Sequence, residues 1–509
     1  MLKKQCIKIS SKNYFTLPNY ISLIAVITAA IISIYTLFCW PMPGVADQGD
    51  FQRVMSVTGL DELKSLGNDY NSHWFHYVVT QYKMVSIDLK RLIGIIPTTS
   101  LIYPITLVRT VSELAGIQYF DTRFLAIVYA VLYMLSLYMC VRYIGINKIG
   151  TYIFFTLLSL LILIDGNYLI WFNSLYGEPM MIVGLLLFIS SILYLCEHIE
   201  KINFRTIFVL FVPALLFLGS KLQCFVALPF VISFIIRIAL IHRKRITNIR
   251  TLCTFTAATF ILIFYVTSIY KQVDSTCGVD TKYNSVFYGI LKNSANPKKD
   301  LAVLGLPPDL TLDAGKHAYL PKNQYVKYVP WSDLTENEFN KKINNFKLLK
   351  FYLLNPVSLI KGMEYTSSHC FDTRSFLGKY EKSAVKLYTF TFKRFTLWSD
   401  FRNSILPKNL IFIILFYVLT ILLSIMEYIK RKNDIPNRLR IELLWLLMII
   451  GILQFPMPYI GNGEADTSKQ LFLFNYTFDI ILLILFTWTF NKIYTFLTDL
   501  VVKYKTLLH

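Results

Sequence analysis

Leu222-Gln-Cys-Phe-Val-Ala-Leu-Pro-Phe-Val-Ile-Ser-Phe-Ile-Ile-Arg-Ile-Ala-Leu-Ile241, closed by His242-Arg-Lys-Arg245, is the stretch that decides the fold. An apolar run of this length crosses about 30 Å of hydrocarbon as a helix. A basic cluster at its end marks a cytoplasmic loop by the positive-inside rule. Nine further runs read the same way: 19–40, 122–142, 149–165, 178–197, 206–219, 252–270, 407–429, 439–459 and 469–490. The run 206–219 is the shortest. With 55% hydrophobic and 16% aromatic residues, the chain reads as an all-α polytopic membrane protein of about ten transmembrane helices.

The net charge of +20 does not point to nucleic acid. Its clusters are short and lie between spans: His242–Arg245 with Arg250, and Lys430-Arg-Lys432 with Arg438 and Arg440. Lys3, Lys4, Lys8 and Lys12 precede the first span. Starting with a cytoplasmic N-terminus and alternating through ten spans puts all of them inside, along with the C-terminus. An eleventh span at 92–108 would move both dense clusters outside, and it carries Pro97 and Pro104. The stretch 77–117 is therefore expected to form helices lying on the outer surface. The first span reads as a retained anchor rather than a cleaved signal, although Gly44-Val-Ala46 has suitably small residues.

This topology divides the chain into an N-terminal membrane module (1–270, with a first outer loop 41–121), a large outer loop region (271–406) and a C-terminal membrane module (407–509). In the large loop, 338–354 alternates apolar and basic residues at near-helical spacing and stops at Asn355-Pro356. That pattern favours a helix resting on the membrane surface. The aromatic and basic stretch Phe390 to Arg402, with Trp398, fits an interfacial belt. The eight cysteines form no metal-binding spacing, and Cys277 and Cys370, in one outer loop, are a candidate pair.

Four polar clusters then fall at helix ends on the outer face. They are Asp47, Asp50 and Arg53; Asn173, Tyr176 and Glu178; Lys221 and Gln223; and Asp466 with Lys469. Each has an ordinary reading. Glu178 and Asp466 would cap helices, Lys221 and Lys469 would snorkel, and Arg53 would simply pair with Asp50 at (i, i+3). Charges near hydrocarbon are costly, however, and all four clusters share a face. Together they suit group transfer from a phosphate-bearing lipid. A carboxylate takes the acceptor's proton, and cations hold the phosphate as it leaves.

Asp47-Gln-Gly-Asp50-Phe-Gln-Arg53-Val-Met resembles, in its placement after the first span, the acidic motif of the GT-C superfamily of membrane glycosyltransferases. Tyr283-Asn-Ser-Val-Phe-Tyr-Gly-Ile-Leu, Leu304-Gly-Leu-Pro and Ala465-Asp-Thr-Ser-Lys-Gln-Leu-Phe-Leu-Phe-Asn475 are similar to bacterial surface-glycan hexosyltransferases. The resemblance implies a polyprenyl-phosphate sugar donor, a glycan or lipid-linked acceptor, inversion at the anomeric carbon, and Asp47 or Asp50 as catalytic base. Arg53, Lys221 and Lys469 would hold the carrier phosphate, and Asn173, Tyr176, Glu178, Gln223 and Asp466 would order the sugar or acceptor. The directly adjacent Asp-Glu pair of some members is Asp47-Gln48 here, so the choice of base stays open. No cofactor is expected; Mg²⁺ or Mn²⁺ on the carboxylates would be the exception, which chelators would reveal. The rival readings are a transporter or flippase for a lipid-linked glycan and a non-enzymatic accessory subunit. Span interiors nearly free of charge favour surface chemistry over transit.

Overall fold

The helix Glu178–His198 lies at the centre of the structure, buried along almost its whole length between Thr122–Tyr143 and Phe204–Leu218. It approaches the latter closely because Gly184 carries no side chain; a Cβ there would come within 2.7 Å of the Phe217 amide nitrogen. The computed structural model describes residues 17–63, 74–86, 99–198, 203–241, 249–373 and 375–508. The N-terminal lysines and the His242–Arg245 cluster lie outside these residues.

Among the described residues, eight helices are long and apolar enough to cross a membrane: Leu17–Phe38, Thr122–Tyr143, Glu178–His198, Leu222–Ile241, Ile249–Gln272, Leu410–Lys430, Ile435–Asn462 and Phe472–Val501. The expected span 149–165 is instead half of a bent pair, Ile149–Leu163 with Gly166–Phe172, turned by 48°. Asp165 makes the break, since its carboxylate accepts the Asn167 amide and restarts the helix. The expected span 206–219 is a helix of 15 residues, Phe204–Leu218, about 22 Å long at 1.5 Å per residue and short of the hydrocarbon thickness. The chain is thus an all-α polytopic membrane protein.

Of the stretch 77–117, expected to form helices on the outer surface, the described residues are helical only over Ile102–Leu114; residues 87–98 lie outside the described ones. Gln81–Met84 is a strand, β2, the centre of a small antiparallel sheet between β1 (Leu60–Asp61) and β3 (Tyr119–Asp121). Its residues alternate, with Tyr82 buried between exposed Gln81 and Lys83, and the neighbouring Val78, Val79 and Thr80 are β-branched.

The helix from Ile249 runs on to Tyr283 and passes into the π-helical segment Asn284–Leu291. From there a second hydrophobic core forms from Tyr283, Phe287, Leu310, Phe339, Phe351 and their neighbours, closed by Tyr459. The helix Asn345–Leu354 buries Leu348, Phe351 and Tyr352 in this core and exposes Phe346, Leu349, Leu353 and Leu354.

Residues beyond 370 return to the membrane bundle. Cys370 is a free, buried thiol that donates to the Ser367 carbonyl; the side chain of its candidate partner Cys277 lies outside the described residues. The interfacial belt is also corrected in part. Leu397, Phe401 and Ile405 face outward, but Trp398 and Arg402 turn into the bundle, where Arg402 pairs with Asp479 of the last span. The span interiors are therefore not free of charge.

Candidate functional site

The chain leaves the first span at Phe38 and turns back over the helix ends through Pro43–Ala46, held by the segment 378–380. Gly44 and Ala46 donate to the carbonyls of Lys379 and Gly378. Asn173 clamps the same turn, its amide donating to the carbonyls of Leu37 and Pro43 at 3.1 and 2.8 Å. Tyr176 donates to the Ala46 carbonyl at 3.0 Å. These contacts deliver Asp47 to the ends of the spans.

Asp47 Oδ1 accepts the backbone N–H groups of Gly49, Asp50 and Phe51 at 2.8, 2.9 and 3.2 Å. Among the described residues, Oδ2 accepts none. Burial, then the charge of Asp50, pushes this carboxyl up to about 6.

Asp50 is bound differently. Oδ1 takes Arg53 Nη2 at 3.1 Å and Oδ2 takes Lys469 Nζ at 2.7 Å. Burial opposes its ionisation, but Lys469, Arg53 and Lys221 outweigh it and hold the carboxyl well below its usual range. Lys469 is only 8% exposed, and its ammonium sits 4.2 Å from the Tyr176 ring centroid. Despite its burial, the charges of Asp50, Glu178 and Asp466 raise its pKa.

Glu178 opens the central helix, as its sequence position suggests, but it is fully buried and bonds Lys221 Nζ at 2.7 Å. Lys221 therefore pairs inward rather than reaching for headgroups. Asp466 does not cap a helix: it is exposed, with φ +52°, and accepts Gln48 Nε2 at 3.4 Å. The residue following Asp47 thus supplies a donor where an adjacent Asp-Glu pair would place a second acid.

The structure brings Asp47, Asp50, Arg53, Tyr176, Glu178, Lys221, Asp466 and Lys469 to one end of the bundle. Asn173 and Gln223 stand apart. Asn173 bonds only backbone, and the Gln223 side-chain amide donates to the Met181 sulfur at 3.7 Å while the Gln223 backbone carbonyl accepts Gln454. Arg431, Arg440 and Glu197 belong to the opposite end, where Arg440 bonds Glu197 and the Tyr143 carbonyl. Sequence reasoning missed Gln48, Phe51 and the buried Lys379. Phe51 meets Tyr176 edge-on at 4.7 Å; the Lys379 amine donates to Ser375 at 2.7 Å and lies 5.8 Å from the Trp171 ring centroid. Among the described residues no three His, Cys, Asp or Glu side chains gather to hold a metal ion.

The loop carrying Asp466 and Lys469 is set by one glycine. Gly463 has φ +59°, and a Cβ on it would come within 2.4 Å of the Asn284 carbonyl and 2.8 Å of the Gly289 nitrogen. Gly463→Ala is expected to cost about 1–3 kcal/mol and to lower the thermal midpoint of the purified protein. An unchanged midpoint would mean that the loop is not held by this contact.

A bundle of apolar spans with a compact charged cluster at one end defines a multi-pass membrane protein. The chain belongs to the family described as the YfdI N-terminal transmembrane domain, whose profile matches residues 4–505. No curated protein and no solved structure gives a significant match.

Proposed function

We propose that the protein is a membrane glycosyltransferase of the GT-C type. It moves a sugar, a hexose, from a polyprenyl-phosphate carrier to a cell-surface glycan or lipid-linked acceptor on the extracytoplasmic face, with inversion. Family membership over nearly the whole chain supports the class. The observation that carries the chemistry is the division of labour between the two aspartates. Asp50 is neutralised by Lys469 and Arg53, whereas Asp47 carries a carboxyl raised to about 6 with Oδ2 left open among the described residues.

In this reading Asp47 Oδ2 takes the proton of the acceptor hydroxyl as that oxygen bonds to the anomeric carbon. The bond from that carbon to the phosphate oxygen breaks, and polyprenyl phosphate leaves with the electron pair. Arg53, Lys221 and Lys469 hold the departing phosphate. Arg53 uses one N–H on Asp50, and its Nε has no partner among the described residues. Each lysine likewise has donors beyond those its carboxylate occupies. The cations can therefore serve a phosphate without releasing Asp50 or Glu178.

A transporter would need a polar route through the bundle. The Arg402–Asp479 pair inside it is fully buried and engaged with Tyr168, which supports transfer at the surface instead. The test is sugar transfer from a panel of radiolabelled polyprenyl-phosphate sugars by the protein in nanodiscs, comparing wild type with Asp47→Asn and Asp50→Asn. Saturable binding of a lipid-linked sugar with no turnover would replace this reading with the transporter. Full activity in both variants would end the proposed mechanism. Activity is expected to be insensitive to chelators; loss on chelation with rescue by a divalent ion would add a metal to the site.

A further inference from the structure

Next to the charged cluster, on the outer module, three aromatic rings stand in a row. Tyr288 and His317 meet nearly edge-on at 5.3 Å, and His317 and Tyr319 follow at 5.8 Å. Tyr319 is 52% exposed, the most open of the three. The carboxylates whose charge reaches its phenol include Asp466, Asp280 and Asp50. Asp466 likewise acts on the His317 imidazole.

The row is fixed to that site through a shared scaffold. Asn284 bonds the Ala318 amide at 2.6 Å with its oxygen and Asn462 at 2.8 Å with its nitrogen. Ser285 donates to the Ile460 carbonyl at 2.5 Å. The segment 317–319 and the loop bearing Asp466 and Lys469 are thus joined through two consecutive residues of one π-helical turn.

We infer that the open Tyr319 ring, with His317 and Tyr288 beside it, forms a stacking platform for a pyranose ring of the acceptor glycan, which it presents to Asp47. This inference rests on the glycosyltransferase reading above. An aromatic face suits the C–H face of a sugar, provided donors and acceptors stand at the rim for its hydroxyls. Here they do. The Tyr319 amide donates to His317 Nδ1 at 3.2 Å, which places the proton of the neutral imidazole on Nε2. Burial holds that imidazole below its usual pKa.

Lys292 lies 4.1 Å from the Tyr288 ring centroid and is paired with Glu464, which also accepts Asn293 at 2.7 Å. Because Glu464 matches that cation, the platform has no excess positive charge to attract a phosphate. A neutral sugar fits it better than the carrier's headgroup. The donor's phosphate and lipid belong with Arg53, Lys221, Lys469 and the spans. The platform instead belongs to the module with its own hydrophobic core, which suits the acceptor.

The test uses the full-length protein in nanodiscs and saturation-transfer NMR with methyl glycosides of glucose, galactose, mannose and N-acetylglucosamine. At least one should bind wild type. Its affinity should fall about tenfold in Tyr319→Ala, as expected for a lost stacking contact. It should persist in Tyr319→Phe, which keeps the ring. No binding to wild type, or unchanged binding in both Tyr319→Ala and His317→Ala, would overturn the platform. In the transfer assay, Tyr319→Ala should raise KM for the acceptor about tenfold and leave KM for the donor unchanged; the reverse would overturn the assignment to the acceptor. Glycoside binding that follows this pattern in a protein without turnover would sink the transferase reading while leaving the platform standing.

Discussion

Asp47→Asn is expected to lower the turnover of sugar transfer by about 10²–10⁴-fold, the usual contribution of a positioned general base. Asparagine is the informative replacement because it keeps Oδ1, and with it the bonds from the Gly49, Asp50 and Phe51 amides that shape the turn. The fold and the cation cluster should survive, so KM for the donor should change little. The pH profile provides an independent check. With the Asp47 carboxyl at about 6, the base is charged above that pH and protonated below it, so wild-type activity should fall as pH drops through about 6. Asp50 is the neighbouring charge that raises Asp47. Asp50→Asn removes it and leaves Lys469 and Arg53 uncompensated, so the acid limb should move to lower pH. That variant should also lose about tenfold in rate through misplacement of the two cations, as a smaller positioning effect. An Asp47→Asn protein with a wild-type rate and acid limb would remove Asp47 from the mechanism. An acid limb that disappears only in Asp50→Asn would move the base to Asp50.

The membrane fold was largely legible because apolar runs of span length have few alternatives. The stretches read as spans are helical, and what failed was local. Nothing in the composition of 149–172 announces that Asp165 will cap a new helix and bend the path by 48°. β2 was hidden because its partners are strands of two and three residues far away in sequence, and such pairing leaves almost no periodic trace.

Much of the site was legible through topology, which put Asp47, Glu178, Lys221 and Lys469 on one face. The pairings were not, since Lys469 and Asp50 are 419 residues apart and meet through packing alone. Asn173 and Gln223 show the limit of residue type as a guide. Both are polar and correctly placed along the chain, yet their side chains go to backbone and sulfur. The motif Tyr283–Leu291 lies far from Ala465–Asn475 in sequence. Its Asn284 and Ser285 hold the loop just ahead of Ala465, a contact that only Gly463 permits.

Arg402→Met alone is expected to destabilise the protein by about 3–5 kcal/mol, because it leaves Asp479 buried without its cation. Both side chains are 0% exposed, and the arginine also bonds Tyr168, whose hydroxyl donates to Asp479 at 2.6 Å. Beside this pair, Ser399 donates its amide and hydroxyl to Asp165, each at 3.0 Å, so the helix Leu397–Ile405 is tied both to the bend and to the last span. Arg402→Met with Asp479→Leu removes both charges and should recover most of the loss, since the desolvation cost goes with them. Thermal unfolding of the two single variants and the double variant in nanodiscs measures this directly as a coupling energy. Additive losses would show that the pair is not the source of the stability. The double variant also separates structure from transport. If the charges only lock the helices, it should still transfer sugar; if they served a path through the bundle, it would remain folded and lose function.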